Sequence, residues 1–183
     1  MVVKDLLLIP STKSDAVELF AAIAASRKEL LPFMLWAQTT LTLADEEEFL
    51  AYAEKKMATR ELFIWTIKVA GVAVGQIDLH EIVWEEKAAR LGYWLATSVQ
   101  GHGYVHQALR QVLSIAFQQL GLSKLEIIAD QKNIASQRVA QRAAFTLAEV
   151  VEEYLFSAGV FFPAEFFQLT KEDWEKEQQK KSS

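Results

Sequence analysis

The sequence predicts one mixed α+β domain, and three observations predict it. Between Leu62 and Ala96, apolar residues alternate through three consecutive runs, as an antiparallel meander requires. From Tyr104 the period changes to that of a helix, and further strand-like and helix-like stretches follow in turn. No internal repeat or linker interrupts the 183 residues, a length that suits one domain with its own core.

The elements follow in order. Lys4 to Ile9 reads as an edge strand stopped by Pro10. Ser14 offers a helix cap, with Val17, Phe20, Ala21 and Ala24 at helical spacing behind it, and Pro32 ends that helix. Phe33 to Thr42 has no clear period and reads as a loop. Asp45 and Glu48 resemble a capping box opening a second helix, whose apolar face would be Phe49, Tyr52, Ala53 and the stem of Lys56. Glu46, Glu47 and Glu48 fall in its first turn, where the helix dipole favours carboxylates; they read as structural rather than as metal ligands.

In the meander, Phe63, Trp65 and Ile67 alternate with Leu62, Ile64 and Thr66. Ala70-Gly71 turns, Val72 to Ile82 returns, and Glu85-Glu86-Lys87 turns again into Ala88 to Ala96. The next helix carries Val105, Ala108, Leu109, Val112 and Ala116 on one face and stops at Gly121. Lys124 to Ala129 is a short buried-type strand. Asn133 caps a helix running to about Ala144, with Val139, Ala140 and Ala143 inward. Thr146 to Tyr154 and Glu165 to Thr170 read as the last strands, joined by a loop holding Gly159 and Pro163. This places the domain at residues 1–170 and a charged, frayed tail at 171–183, with Trp174 positioned to dock its first turn.

Composition narrows the functional classes. Apolar residues make up 51% of the chain, and eleven Phe and five Trp can fill a core without disulfides. Cysteine is absent, which excludes thiol nucleophiles and zinc–thiolate sites and suits a reducing cytosol, so a cytoplasmic location is expected. The apolar run in MVVKDLLLIP is far too short for a signal peptide, and no stretch approaches a membrane span, so no membrane partner is expected. A net charge of −5 argues against a broad basic footprint, so direct nucleic-acid binding is not expected either.

Chemistry concentrates where Leu91 to Ala96 runs into Gln100-Gly101-His102-Gly103 and then at once into a helix. Backbone amides at a helix start are unpaired and sit at the positive end of the dipole, so a glycine turn there is a ready anion site. By itself such a turn reads equally as a plain strand-to-helix connection. A dinucleotide-binding unit is excluded: it would open on the strand–loop–helix without a meander before it and would need a third glycine, where this chain has His106.

Several groups of residues together resemble the GNAT superfamily of N-acetyltransferases, and more narrowly the bacterial ribosomal-protein N-terminal (serine/alanine) acetyltransferases. They are LGYWL at Leu91 to Leu95, the loop Gln100-Gly101-His102-Gly103-Tyr104-Val105, Asn133 to Ser136, Arg138 to Phe145, and Glu153-Tyr154-Leu155, with His80-Glu81-Ile82 upstream. The resemblance covers residues 4–170, and the order of elements derived above is the family's order. It implies a single GNAT-type α+β domain: a mixed, twisted sheet of about six to seven strands flanked by about four helices.

It also implies acetyl-CoA as cosubstrate. The pyrophosphate would lie on the amides of Gln100, Gly101, His102, Gly103, Tyr104 and Val105, reaching His106. Backbone groups of Leu95 and Thr97 would pair with the pantetheine arm, in a gap where their strand splays from its parallel neighbour. Asn133 and Ser136 would bind the arm near the thioester; the capping role of Asn133 is compatible with this. Glu153 matches the family's candidate base and Ser136 its candidate proton donor to the departing thiolate. Because Glu152 and Glu153 are adjacent on a strand, only one would face the cleft; that Glu152 or a water serves as base stays open. No metal is expected, since no His/Asp/Glu spacing has a metal-site pattern. His102 and His106 would lie among phosphates, away from the reacting carbonyl, so no catalytic role is assigned to them.

The acceptor is expected to be a protein N-terminus or a small amine. An α-amino group with a pKa of about 8 is roughly a tenth neutral at pH 7, whereas a lysine at about 10.4 is about a hundred-fold worse. A coenzyme A-binding module without transfer activity remains the alternative from another class. The family's glycine or alanine at the end of the loop is Val105 here, and an aspartate common before the final strand is missing from Phe161-Phe162-Pro163-Ala164. These departures bear on the acceptor side. A homodimer stays open, with no interface signature separable from core.

Overall fold

A computed structural model describes residues 6–157 and 159–182 of the chain. Lys4, where the first strand was expected to begin, lies outside them, as do Met1 and Ser183 at the ends of the expected domain and tail. The order of elements is β1 (Leu6–Pro10), α1 (Ala16–Leu30), α2 (Leu43–Ala58), β2 (Phe63–Val69), β3 (Val72–Val83), β4 (Ala88–Leu95) and α3 (Tyr104–Ser114). There follow β5 (Lys124–Asp130), α4 (Ile134–Arg142), β6 (Thr146–Ser157), β7 (Val160–Thr170) and α5 (Lys171–Ser182). The strands form one mixed seven-stranded sheet in the order β1-β2-β3-β4-β5-β7-β6. Strands β4 and β5 run parallel; β1–β2, β2–β3, β5–β7 and β7–β6 are antiparallel. The α+β class, the mixed sheet and the meander are as expected; a fifth helix is added.

The chain divides into two compact units, Met1–His80 with Tyr93–Ala108, and Glu81–Gly92 with Leu109–Ser183. In the first, Ala16, Leu19, Ile23 and Leu30 of α1 bury against Leu50 of α2, Ala37, Ala73 and Trp94. This corrects the expected faces. Val17 is exposed and Ala21 and Ala24 point outward, because from Ala16 to Ala25 the only polar residue of α1 is Glu18 and the spacing fits more than one stripe. In α2 the buried positions are Glu46, Leu50 and Ala53, whereas Phe49 and Tyr52 are exposed.

The caps shift as well. Helix α2 is capped by Thr42, whose side chain accepts from the Asp45 amide at 3.3 Å, while Asp45 Oδ2 accepts from the Thr42 amide at 2.7 Å. The capping box therefore starts three residues before the expected one, and Asp45 is its returning acid rather than its cap. A tight helical turn at Lys13–Asp15 precedes α1, with the Thr12 amide bonded to Asp15 Oδ2 at 3.0 Å in place of a Ser14 cap. The connection from Leu31 to Thr42 is ordered around Arg27, which donates to the carbonyls of Ala37 and Thr40, and it contains a short helical turn at Leu35–Gln38.

In the second unit, Leu125 and Ile127 of β5 and Phe167 and Leu169 of β7 are buried. After Ser114 the helix widens at Ile115–Gln119, where the Leu120 amide reaches the Ile115 carbonyl at 2.9 Å. Within that wider turn Phe117 is fully buried, its ring 5.4 Å from that of Trp174. The expected tail is thus a helix whose first turn docks through Trp174, started by Thr170, whose hydroxyl accepts from the Asp173 amide at 3.2 Å. The other correction concerns β6 and β7. They form a long hairpin closed near Gly159, and Pro163 lies inside β7 rather than in a loop. The ladder is interrupted there: Val151 faces Ala164 and Leu155 faces Phe162, so a proline without an N–H is placed where no ladder bond is called for.

Candidate active site

The first unit brings the expected loop residues together in one continuous turn. After β4 a short helical turn at Thr97–Val99 reverses the chain. Gly101 and Gly103 both adopt left-handed conformations, φ +80° and +78°, which side-chain-bearing residues resist. A Cβ on either would stand in open space, with nothing within 4 Å, so these glycines serve backbone conformation and clearance rather than packing. Helix α3 then begins at Tyr104, which is buried. Its first i→i−4 bond runs from the Gln107 amide to the Gly103 carbonyl at 3.0 Å, so the amides of Tyr104 and Val105 precede the helix's own bonding pattern. Such a turn presents donors at the positive end of a dipole and fits an anionic group.

The side chains of the loop turn back on the chain. His102 Nδ1 lies 2.9 Å from the Gln100 carbonyl and 3.2 Å from that of Val99, a geometry that suits a donating Nδ1–H, and its ring stacks on Tyr104 at 5.7 Å. Gln100 Nε2 donates to the Leu95 carbonyl at 3.0 Å. His106 is half-buried in the first turn of α3.

Leu95 and Thr97 stand at the exit of β4, and their backbone is held from several sides. The Thr97 amide donates to Ser26 Oγ on α1 at 2.9 Å, with Ser26 itself buried. The Ala96 amide donates to the Val74 carbonyl at 2.7 Å. At Gly75 a Cβ would come within 2.3 Å of the Trp94 carbonyl oxygen and 2.9 Å of Leu95 Cα, so only glycine lets β3 lie this close. Ser26, Gly75 and Gln76 were not singled out in the sequence. Ser26 sits in an apolar-rich helix with no pattern to mark it, and the other two look like ordinary members of a strand.

The remaining expected residues belong to the second unit. Asn133 caps α4: its Oδ1 accepts from the Ser136 amide at 3.1 Å, so these two are joined directly. Both are half-buried. Glu153 lies in the interrupted stretch of β6, and Glu152 and Glu153 are both exposed. The stretch Glu152 to Tyr154 lies between two ladder points, Val151 with Ala164 and Leu155 with Phe162, where the register shifts and the strand is irregular. Tyr154 packs edge-on against Phe166 at 4.9 Å. Nearby, Arg90 Nε donates to Glu126 Oε2 at 3.2 Å and its Nη1 donates to Glu81, while Gln168 Nε2 donates to Glu126 Oε1 at 3.1 Å. Among the described residues no three His, Asp or Glu stand together as metal ligands would.

Comparison with known proteins places this arrangement. The acetyltransferase (GNAT) domain family matches residues 5–146. The chain belongs to that family. A Bacillus subtilis (strain 168) protein, YdaF, whose name puts it among ribosomal N-acetyltransferases, is 30% identical over 107 residues; the match covers 58% of each chain, so this chain spans somewhat over half the length of that relative. Among solved structures, the ribosomal L7/L12 alpha-N-protein acetyltransferase RimL, in complex with coenzyme A, superposes with a TM-score of 0.88 at 20% identity, covering 92% of this chain and 95% of that one. The microcin C7 self-immunity acetyltransferase MccE, in complex with acetyl-CoA and AMP, gives a TM-score of 0.86 at 22% identity, covering 91% and 92%. These likenesses show that the fold is shared.

Proposed function

We propose that this protein transfers the acetyl group of acetyl-CoA to a primary amine, the N-terminal α-amine of a protein, with ribosomal proteins as the class to test first. The observation that carries the reading is the turn from Gln100 to Val105: two left-handed glycines feeding the start of α3, one short helical turn after β4. The membership in the acetyltransferase family and the names of YdaF and RimL support the choice of chemistry and acceptor.

Acetyl-CoA supplies an acetyl thioester, already activated for attack by an amine. The chain's part is to hold and orient it. Amides of Gln100 to Val105, reaching His106, receive the pyrophosphate, and the clear space at Gly101 and Gly103 lets the backbone approach it. The strand end at Leu95 and Thr97 guides the pantetheine arm. The Leu95 carbonyl already accepts from Gln100 and has a second lone pair for the arm, whereas the single Thr97 N–H is given to Ser26 and must leave it to serve the arm. Asn133 and Ser136 serve the thioester end; the Ser136 hydroxyl returns a proton to the departing thiolate. Glu153, exposed and able to act through a water, takes the proton from the attacking amine. An α-amine suits such modest assistance, since at pH 7 about a tenth of it is already neutral.

In this reading residues 1–170 form the transferase domain, and α5 is an appended helix. The test is mass spectrometry of ribosomal proteins and N-terminal peptides incubated with the protein and acetyl-CoA. Acetylation at the α-amine is expected. Turnover only with polyamines, amino acids or aminoglycosides would move the acceptor to small amines. Coenzyme A binding without thiol release from any acceptor would leave a binding module.

A further inference from the structure

Four buried polar side chains of the first unit, Ser11, Asp15, Thr66 and Gln76, form one connected wire that starts at the Trp94 indole. Trp94 Nε1 donates to Gln76 Oε1 at 3.2 Å, Gln76 Nε2 donates to Ser11 Oγ at 3.1 Å, and Ser11 Oγ lies 2.8 Å from Thr66 Oγ1. Thr66 Oγ1 donates to Asp15 Oδ2 at 3.2 Å, and Asp15 Oδ1 meets Lys68 Nζ at 2.9 Å. Ser11, Asp15, Thr66, Gln76 and Trp94 are all buried, so each of these bonds replaces water that cannot reach it.

Chemistry fixes the direction of the wire. An indole N–H can only donate, so the carbonyl oxygen of Gln76 faces Trp94 and its amide nitrogen faces Ser11. Ser11 accepts from Gln76 and donates its own O–H to Thr66, and Thr66 donates its O–H to the Asp15 carboxylate. Every donor points toward one fixed charge, which Lys68 balances from the other side. Burial pushes the Asp15 carboxyl up, but the bonds from Lys68, the Thr12 amide and Thr66 outweigh it and hold the group below its ordinary value.

The far end of the wire is Trp94, one residue before Leu95. Its indole also packs against Trp36 at 5.6 Å. Gly75, beside Gln76, brings the β3 backbone against the Trp94 carbonyl and Leu95 Cα. Adjacent positions on β3 thus hold both the side chain of Trp94 and the backbone that follows it.

We propose that Gln76 is a positioning residue for acetyl-CoA: its side-chain amide fixes the Trp94 indole, and with it the Leu95 backbone along which the pantetheine arm runs. This rests on the cofactor assignment above. The test is calorimetric titration of the full chain with coenzyme A. Gln76→Leu removes the acceptor for Trp94, and the dissociation constant rises on the order of tenfold. The Trp94 indole N–H resonance, assigned by its loss in Trp94→Phe, shifts in the same variant. Leu169→Ala, in the buried face of β7, loses thermal stability yet keeps coenzyme A affinity, which separates positioning from general destabilisation.

Gln76→Glu supplies the conservative rescue. Its protonated carboxyl can accept from Trp94 and donate to Ser11, so affinity matches the wild type at low pH and falls as the new acid ionises. Asp15, held low, and Lys68, held high by Asp15 with a smaller push from Glu18, keep their charges across that range, so the wire itself gives no such fall in the wild type. His102, His106 and Glu46 are common to both proteins, and the effect is read as the ratio of variant to wild-type affinity at each pH. Unchanged affinity in Gln76→Leu overturns the proposal. If Gly103→Ala weakens binding in the same experiment, the cofactor assignment stands and only the role of Gln76 falls; if neither variant changes binding, both fall.

Discussion

Replacing Glu46 with methionine should stabilise the protein at neutral and alkaline pH but not in acid. Glu46 sits on the inner face of α2, three residues after Leu43 and four before Leu50, and is 2% exposed. Its Oε1 has no hydrogen-bond partner. Burial pushes its carboxyl up to about 7 from an ordinary 4.5. The folded state therefore holds this proton more tightly than the unfolded chain does. The stability present below an unfolded value of 4.5 is lost progressively as pH rises through about 7, and the loss is then constant. The difference corresponds to about 3 kcal/mol, trimmed by up to about 1 kcal/mol because the start of a helix favours the charged form. Methionine has a similar length and no charge to bury. Urea unfolding of wild type and Glu46→Met at several values between about pH 5 and pH 8 measures the effect, since every other titrating group cancels in the difference. The advantage of the variant should grow by about 2–3 kcal/mol across that range. A difference that does not change with pH would refute the argument, and with it the buried, unpaired state of this carboxyl.

The other expectations concern the site and the last helix. Gly103→Ala forces a side chain into a left-handed backbone, at about 1–2 kcal/mol, and puts a methyl on the face proposed for the pyrophosphate; coenzyme A affinity measured by calorimetry should fall tenfold or more. Glu153→Gln should lower turnover by roughly a hundred-fold and flatten its pH profile with little change in acetyl-CoA binding, whereas an effect confined to Glu152→Gln in the same steady-state assay would transfer the role to that residue. Trp174→Ala should remove the anchor of α5 from Phe117 and cost roughly 3 kcal/mol in denaturant unfolding, and limited proteolysis should then cut within Lys171–Ser182.

Much of the fold was legible because its signals are local. The meander from Leu62 to Ala96 shows in alternation alone, since a strand's side chains change face at every residue whatever lies beyond. Asn133 was legible as a cap for a similar reason: an Asn three residues before a backbone amide at a helix start has one favourable use. The glycine turn from Gln100 to Val105 was recognisable as a strand-to-helix turn from the order of residues. The inner faces of α1 and α2 were not. Both helices carry apolar residues on several sides, and only packing selects Leu19, Ile23 and Leu50 over Val17, Phe49 and Tyr52.

By itself, then, the sequence determined the order of most elements, the glycine turn before α3 and the family, because each depends on residues close along the chain. Tertiary structure alone decided that Glu46 is buried without a partner, that Pro163 lies inside a strand opposite an interrupted ladder, and that Ser26 and Gln76 reach the end of β4. The partners in those contacts lie far apart in sequence: Ser26 and Thr97 are separated by 71 residues, and Ser11 and Gln76 by 65. A hydrogen bond of that kind leaves no local period or composition to read, and it exists only once the backbone has brought its two ends within about 3 Å.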